Sequence, residues 1–256
     1  MPKAYVVAGW DDVPHIEQRT KDALLASYPL HERDVRTKGI PKLGSGAIYP
    51  VLDDVILVKP YVIPSHWRKL CAVDFGTKNP AAVWGAYDHE TDALVIYDAW
   101  KGDGQTVYTT GQHADIVRSR GQWIPCAWPH DGKGSDRGSG TQYATGMRDK
   151  GVNMLVEHAQ HAEEGIGEET KTALTSVEGG LKSIYDAMME GRFKVFGHLS
   201  EWFSEKNLYH RKDGKIVKER DHLMDASRYL WISRRFASLA PNESTARRDR
   251  PNWKTA

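Results

Sequence analysis

The sequence predicts an α/β domain, a central mixed sheet of five to six strands flanked by helices, with a β-hairpin inserted before the last helix. Three observations carry this. From Arg68 onward, three short apolar runs follow one another with only tight turns between them, the pattern of an antiparallel meander. Helical and strand-like segments then alternate, the pattern of crossover units on a sheet. Acidic residues stand where several strand-like runs stop, which places them at a sheet edge and not inside it.

The meander consists of Lys69 to Gly76, Ala81 to Asp88 and Ala93 to Trp100, with His89-Glu90-Thr91-Asp92 as the second turn. A helix is expected over about Thr109 to Arg120. A fourth strand, Ile124 to Pro129, ends at His130-Asp131-Gly132. A Gly-rich charged stretch to Gly140 leads to a helix at about Thr141 to Lys150 and a strand at Val152 to Glu157. A long helix is expected at about Ser176 to Glu190, and a strand at Arg192 to Phe196. Leu208 to Val217 reads as a hairpin turning at Asp213-Gly214, a pair suited to the positive φ of a tight turn. The last helix runs from about Asp221 to Phe236.

Residues 1–67 read differently. A strand-like Ala4 to Val7, a helical stretch at about Glu17 to Ser27, the turn-rich Gly39 to Gly46 and a strand at Val51 to Val58 are broken by Pro60 and Pro64. We read this part as the tail of a larger preceding domain plus a linker, residues 68–238 as the main domain, and 239–256 as a polar, disordered tail.

Composition limits the function classes. The 256 residues are 40% hydrophobic and 27% charged, as in globular proteins. No apolar run approaches the roughly 20 residues of a membrane span, and the N-terminus is interrupted too early to be a signal peptide. Cys71 and Cys126 stand outside any CxxC pair, so two buried thiols are expected, not a disulfide framework or a structural zinc site. A net charge of +1 gives no wholesale attraction to nucleic acid, though a local basic face is compatible with it. No phosphate-binding Gly-x-x-x-x-Gly-Lys-Ser/Thr loop occurs, so ATP hydrolysis is not expected of this chain.

Hydrolysis of a phosphodiester by two cations needs several carboxylates converging on one point, and magnesium prefers such oxygen ligands. Asp74 ends the first strand. Asp131 ends the fourth, which in this order lies parallel to the first, so both acids emerge at one sheet edge. Asp225 lies in the last helix, with His222 three residues earlier on the same face. Each alone has a plainer reading: Asp74 as a turn acid, Asp131 as a loop acid beside Gly132, His222 as a surface histidine, Asp221 as an N-cap. Asp98, ending the third strand, is the rival acid; Asp98 and Asp221 are candidates to support the ligands. Removing one of several crowded carboxylates is expected to raise stability without metal.

The order β-β-β-α-β-α-β-α with acids at strand ends is that of the RNase H-like fold. Within it, Asp221-His222-Leu223-Met224-Asp225-Ala226-Ser227-Arg228-Tyr229 resembles the final-helix signature of tailed-phage terminase large subunits, and Val73-Asp74-Phe75-Gly76 resembles their first catalytic strand. Trp10 to His15 and Gly39 to Gly46 look like the end of that family's ATPase domain and the linker beyond it. The resemblance implies a nuclease of the packaging motor that cuts concatemeric viral DNA to genome length in the host-cell cytoplasm. It implies Asp74, Asp131 and Asp225 as ligands of Mg²⁺ or Mn²⁺ in a two-metal site, His222 as an assisting residue, and the small terminase subunit and portal as partners of the full-length protein. The chain is then expected to be a piece of a longer protein.

Double-stranded DNA needs backbone contacts. Lys133, Arg137 and Arg148 flank the Asp131 end, and Arg211, Lys212, Lys215 and Lys218 gather around the hairpin, a group suited to phosphates but also to plain solvation. The tail residues Arg247, Arg248, Arg250 and Lys254 are weaker candidates. Two other readings compete: a non-catalytic DNA-gripping or portal-docking module, and another RNase H-like enzyme such as a junction resolvase or transposase. The upstream segments disfavour the latter.

Overall fold

Alternation along the first strands sorts their side chains to two faces of one sheet. In the computed structural model, Leu70 and Ala72 of β2 (Arg68–Asp74) and Ala81 and Val83 of β3 (Ala81–Asp88) enter one apolar core. Cys71, Val73, Ala82 and Trp84 enter a second core on the opposite face. Both faces are covered, so the meander is more apolar than a half-exposed sheet would be. The structure describes residues 10, 16–27, 37, 46–130, 142–159 and 177–241.

After helix α1 (Gln18–Ser27), the chain passes through the short helix α2 (Asp53–Ile56) into β1 (Leu57–Val58), then through the meander β2, β3 and β4 (Ala93–Lys101). Helix α3 (Thr110–Arg118), strand β5 (Cys126–Ala127), helices α4 (Tyr143–Asp149) and α5 (Val177–Met189), strand β6 (Phe193–Phe196) and helix α6 (Ser200–Leu208) follow. The hairpin β7 (Arg211–Lys212) and β8 (Lys215–Ile216) precedes α7 (His222–Ile232). The six-stranded sheet has the order β1-β6-β4-β3-β2-β5, antiparallel within the meander and parallel at β2–β5, β4–β6 and β1–β6. The mixed sheet and the parallel pairing of β5 with β2 agree with the sequence reading. Asp213 and Gly214 both adopt positive φ, 51° and 76°, and turn the hairpin as expected.

Helix α7 lies across β2, β3 and β4 on the first face, with α5 and α6 beside it; α3 and α4 cover the second face. Its Leu223, Ala226 and Leu230 are at most 1% exposed. The approach is close at Gly85, where an added Cβ would stand 2.8 Å from a Leu230 methyl carbon and that side chain would have to shift. Cys71 and Cys126 are buried neighbours across β2 and β5, their sulfurs 3.6 Å apart.

Three elements differ from expectation. Upstream of residue 68, β1 is a strand of the central sheet, and Tyr49, Val51 and Ile56 are core residues. Val51 to Val58 divides into a helical turn and a two-residue strand. Val152 to Glu157 contributes only a single bridge, Met154 to Cys126. Helix α6 has no counterpart in the sequence reading. Its apolar Trp202 and Phe203 are adjacent and its buried Glu205 and Lys206 are charged, so no 3.6-residue apolar period marks it.

Candidate active site

Asp74 is the last residue of β2, and its alternation places it on the face that α7 covers, in line with Leu70 and Ala72. Helix α7 starts at this sheet edge. Its first residue, His222, has Nδ1 at 2.9 Å from Asp74 Oδ2. A carboxylate only accepts, so Nδ1–H donates to Asp74 and Nε2 is left as the second functional nitrogen. This hydrogen bond raises the His222 pKa above 6.5, against the opposing effect of partial burial.

One turn further on, Asp225 is 8% exposed and ion-paired on both sides. Lys218 Nζ stands 2.8 Å from Asp225 Oδ2 and 3.1 Å from Asp221 Oδ2, and Arg228 reaches Asp225 Oδ1 at 3.3 Å. Burial opposes the Lys218 ammonium, but the two aspartates outweigh it and raise the lysine pKa. The helix N-terminus adds its own positive potential, so carboxylates collect around the first turn. Asp221 occupies the N-cap position expected of it, yet its side chain makes no cap hydrogen bond.

The structure thus brings Asp74, His222, Asp225 and Asp221 to one sheet edge. The chain leaving β5 emerges at the same edge, because β5 runs parallel to β2; Asp131, Lys133 and Arg137 lie outside the described residues, as do the tail arginines and Lys254. Among the described residues alone, no three His, Cys, Asp or Glu side chains form a cluster fit to hold a metal. Asp98 is turned the other way. It pairs in register with Trp84 on the α3 face and is bound by Arg120 at 3.1 Å, so the sheet separates it from Asp74.

The basic residues divide into three groups. Lys212 and Lys215 are exposed on the hairpin. Arg211 is held by both oxygens of Glu178 on α5, and exposed Arg148 reaches the Leu155 carbonyl at 3.2 Å. Lys218 belongs to the acid cluster. The basic residues near it in sequence suggested a phosphate contact; only the fold shows that its ammonium meets Asp221 and Asp225.

Sequence reasoning missed Glu205, Lys101 and the Arg228 partner of Asp225. Glu205 is 2% exposed and meets Lys101 Nζ and the Leu223 amide, each at 2.7 Å. A cavity of about 430 Å³ opens beside these residues, lined by Asn79, Lys101, Glu201, Glu205, Arg220 and His222 among others.

Residues 71–234 match the family model described as the terminase RNaseH-like domain. Over 232 residues the chain is 38% identical to the terminase large subunit of Salmonella phage P22, covering 89% of this chain and 44% of that relative. It is also 38% identical, over 227 residues, to the terminase large subunit of Enterobacteria phage LP7, covering 87% and 45%. The chain therefore spans less than half the length of these curated relatives. The solved nuclease domain of the P22 large terminase is 37% identical, with a TM-score of 0.65 over 77% of this chain and 96% of that one. A solved large terminase from a thermophilic bacteriophage, 16% identical with a TM-score of 0.55 over 88% of this chain and 54% of that one, shares the fold. With its mixed sheet, its final helix and the match over residues 71–234, this chain belongs to the terminase RNase H-like domain family.

Proposed function

We propose that this chain is a divalent-metal-dependent DNA endonuclease, the part of a viral packaging motor that cuts concatemeric DNA to genome length. The observation that carries the reading is the meeting of Asp74 with His222, with Asp225 one turn further along the same helix. The name of the similar P22 nuclease domain supports it. Double-stranded DNA is then the substrate, the small terminase subunit and the portal are partners of the longer protein, and the host-cell cytoplasm is the place of action.

The donor set fits a hard cation. Asp74 and Asp225, joined by Asp131, would hold it through carboxylate oxygens, and the Lys218 ammonium between Asp225 and Asp221 supports the reading that this cluster attracts a cation. Bound Mg²⁺ or Mn²⁺ would supply Lewis-acid stabilisation of the phosphate. The protein's own contribution is orientation and proton handling. Asp74 fixes the imidazole through Nδ1, and neutral His222 can take a proton at Nε2 from water or return one to a leaving oxygen.

The test is cleavage of supercoiled plasmid. Nicked and linear products are expected with Mg²⁺ or Mn²⁺, with manganese tolerating imperfect geometry better, and no products in excess chelator. Full cutting in chelator overturns the metal dependence. DNA binding with no cutting under either metal favours the non-catalytic gripping module.

Lys212 and Lys215 are proposed to bind backbone phosphates. The double variant Lys212→Ala/Lys215→Ala is expected to weaken DNA binding and to reduce the salt slope by about 0.9 for each phosphate no longer neutralised, with the single-turnover rate at saturating DNA unchanged. Titrations at several salt concentrations check this; a wild-type slope would make the hairpin a solvated surface.

A further inference from the structure

The N-terminus of α7 lacks a cap of its own. Asp221, at the cap position, turns its side chain to Lys218 instead of to a helix amide. The Leu223 amide, one of the orphan donors of the first turn, is satisfied from another helix: Glu205 of α6 accepts from it at 2.7 Å. The second Glu205 oxygen accepts from Lys101 Nζ, also at 2.7 Å. The carboxylate is 2% exposed with both oxygens committed. Burial works against the Lys101 ammonium, but Glu205 and Glu201 raise its pKa above the ordinary lysine value.

The place of Lys101 in the sheet gives this its meaning. Asp74 pairs with Ala81, and Ala81 pairs with Lys101, so the three form one cross-strand row on the face under α7. The contacts therefore close a ring. From Asp74 it runs along the row to Lys101, through Glu205 to the Leu223 amide, then one residue back to His222, and returns to Asp74 through the 2.9 Å hydrogen bond. Helix α6 is itself a firm base for this ring. Lys206, 1% exposed, binds the Val51 carbonyl and Asp53. Trp202 donates to Ser227 on α7 at 2.8 Å, and Ser227 donates to the Leu223 carbonyl.

We propose that Glu205 is a positioning residue for the nuclease reaction. With Lys101 as its partner, it sets the start of α7 against the sheet row so that His222 meets Asp74. This rests on the nuclease function proposed for the site. In this role Glu205 acts through the Leu223 amide and the helix turn that carries His222. A misplacement on the order of 1 Å at a reacting group costs about 10²-fold in rate, so the small ring has a large lever.

The experiment uses the full 256-residue chain and three variants: Glu205→Ala, Glu205→Gln and Lys101→Met/Glu205→Gln. Each is read by single-turnover cleavage at saturating DNA, by DNA affinity, and by the proton NMR signal of the His222 Nδ1–H in the metal-free protein. Glu205→Ala is expected to lose about 10²-fold in rate with unchanged DNA affinity, and to lose the imidazole signal. Glu205→Gln leaves the Lys101 ammonium facing an amide and is expected to fall between. The double variant removes both charges and with them the Lys101 link to the sheet row, keeps an oxygen for the Leu223 amide, and is expected to be no faster than Glu205→Gln. Folded Glu205→Ala protein that keeps the wild-type rate and the signal, losing only melting temperature, overturns the proposal. If Glu205→Ala does not fold, Glu205→Gln and the double variant decide: a wild-type rate and signal in both overturn it. If the wild type binds metal and DNA but never cuts, the nuclease reading fails, and the NMR signal alone still decides whether Glu205 positions His222.

Discussion

Asp74→Ala is expected to abolish DNA cleavage while the domain stays folded. Asp74 stands at the end of β2, beyond the fully buried Leu70 to Val73, so its loss opens no hole in either core. What it removes is a ligand and the acceptor that orients His222. A bound cation is worth several kcal/mol to a transition state that gathers negative charge, and each ~1.36 kcal/mol is tenfold, so a loss of about 10³-fold or more follows. Asp225→Asn should lose cleavage similarly. Asp225→Ala is a different experiment, because Arg228, 5% exposed, would be left buried without its carboxylate. Breaking such a pair costs on the order of 3 kcal/mol, so the alanine variant should melt well below the asparagine variant. This reverses the expectation that removing a crowded carboxylate stabilises the metal-free protein. The crowding is answered by Lys218, which only the fold brings to Asp225, and by Arg228, one turn along the same helix. Single-turnover plasmid cleavage and thermal melts of the three variants check both statements. A wild-type rate in Asp74→Ala would remove that residue from the site.

His222→Ala is expected to slow the chemical step by roughly 10²- to 10⁴-fold, the range of general acid–base assistance, with DNA affinity nearly unchanged. The geometry justifies more than proximity: Asp74 binds Nδ1, which leaves Nε2 to exchange a proton. A second signature concerns pH. Asp74 raises the folded-state pKa of His222 above 6.5, so the protonated form is stabilised in the fold relative to the unfolded chain. The contribution of this pairing to stability is therefore fully present below pH 6.5 and declines as pH rises through the raised folded value. In metal-free protein, the melting temperature of the wild type should decline relative to His222→Ala across that window. Parallel melting curves for the two proteins from about pH 5 to about pH 9 would contradict the pairing.

Much of the domain was legible in the sequence because its signals are local. Alternating apolar residues in β2, β3 and β4, tight turns between them, Asp213-Gly214 in the hairpin and the apolar spacing of α7 each depend on a few neighbouring residues. The pairing of Asp74 with the His222 helix was also within reach. A strand-end acid and a late-helix His-x-x-Asp have fixed places once the β-β-β-α-β-α-β-α order is recognised.

What the sequence determined by itself, then, is most of the elements, their order, and the residue types at the sheet edge. Only the tertiary structure decided which charges meet. Lys218 sits among basic neighbours in sequence, yet it turns to Asp225 and Asp221 because the hairpin arm ends directly over the first turn of α7. Asp98 ends a strand as Asp74 does, but lies on the opposite face, since the parity of β4 against β3 pairs it with Trp84. Glu205 lies in a helix with no apolar period, because burial there is secured by polar partners 104 residues away in one case and 18 in the other. Hydrophobic period is a property of one segment. The partner of a buried charge is a property of two segments, and it exists only once the sheet and helices have brought them together.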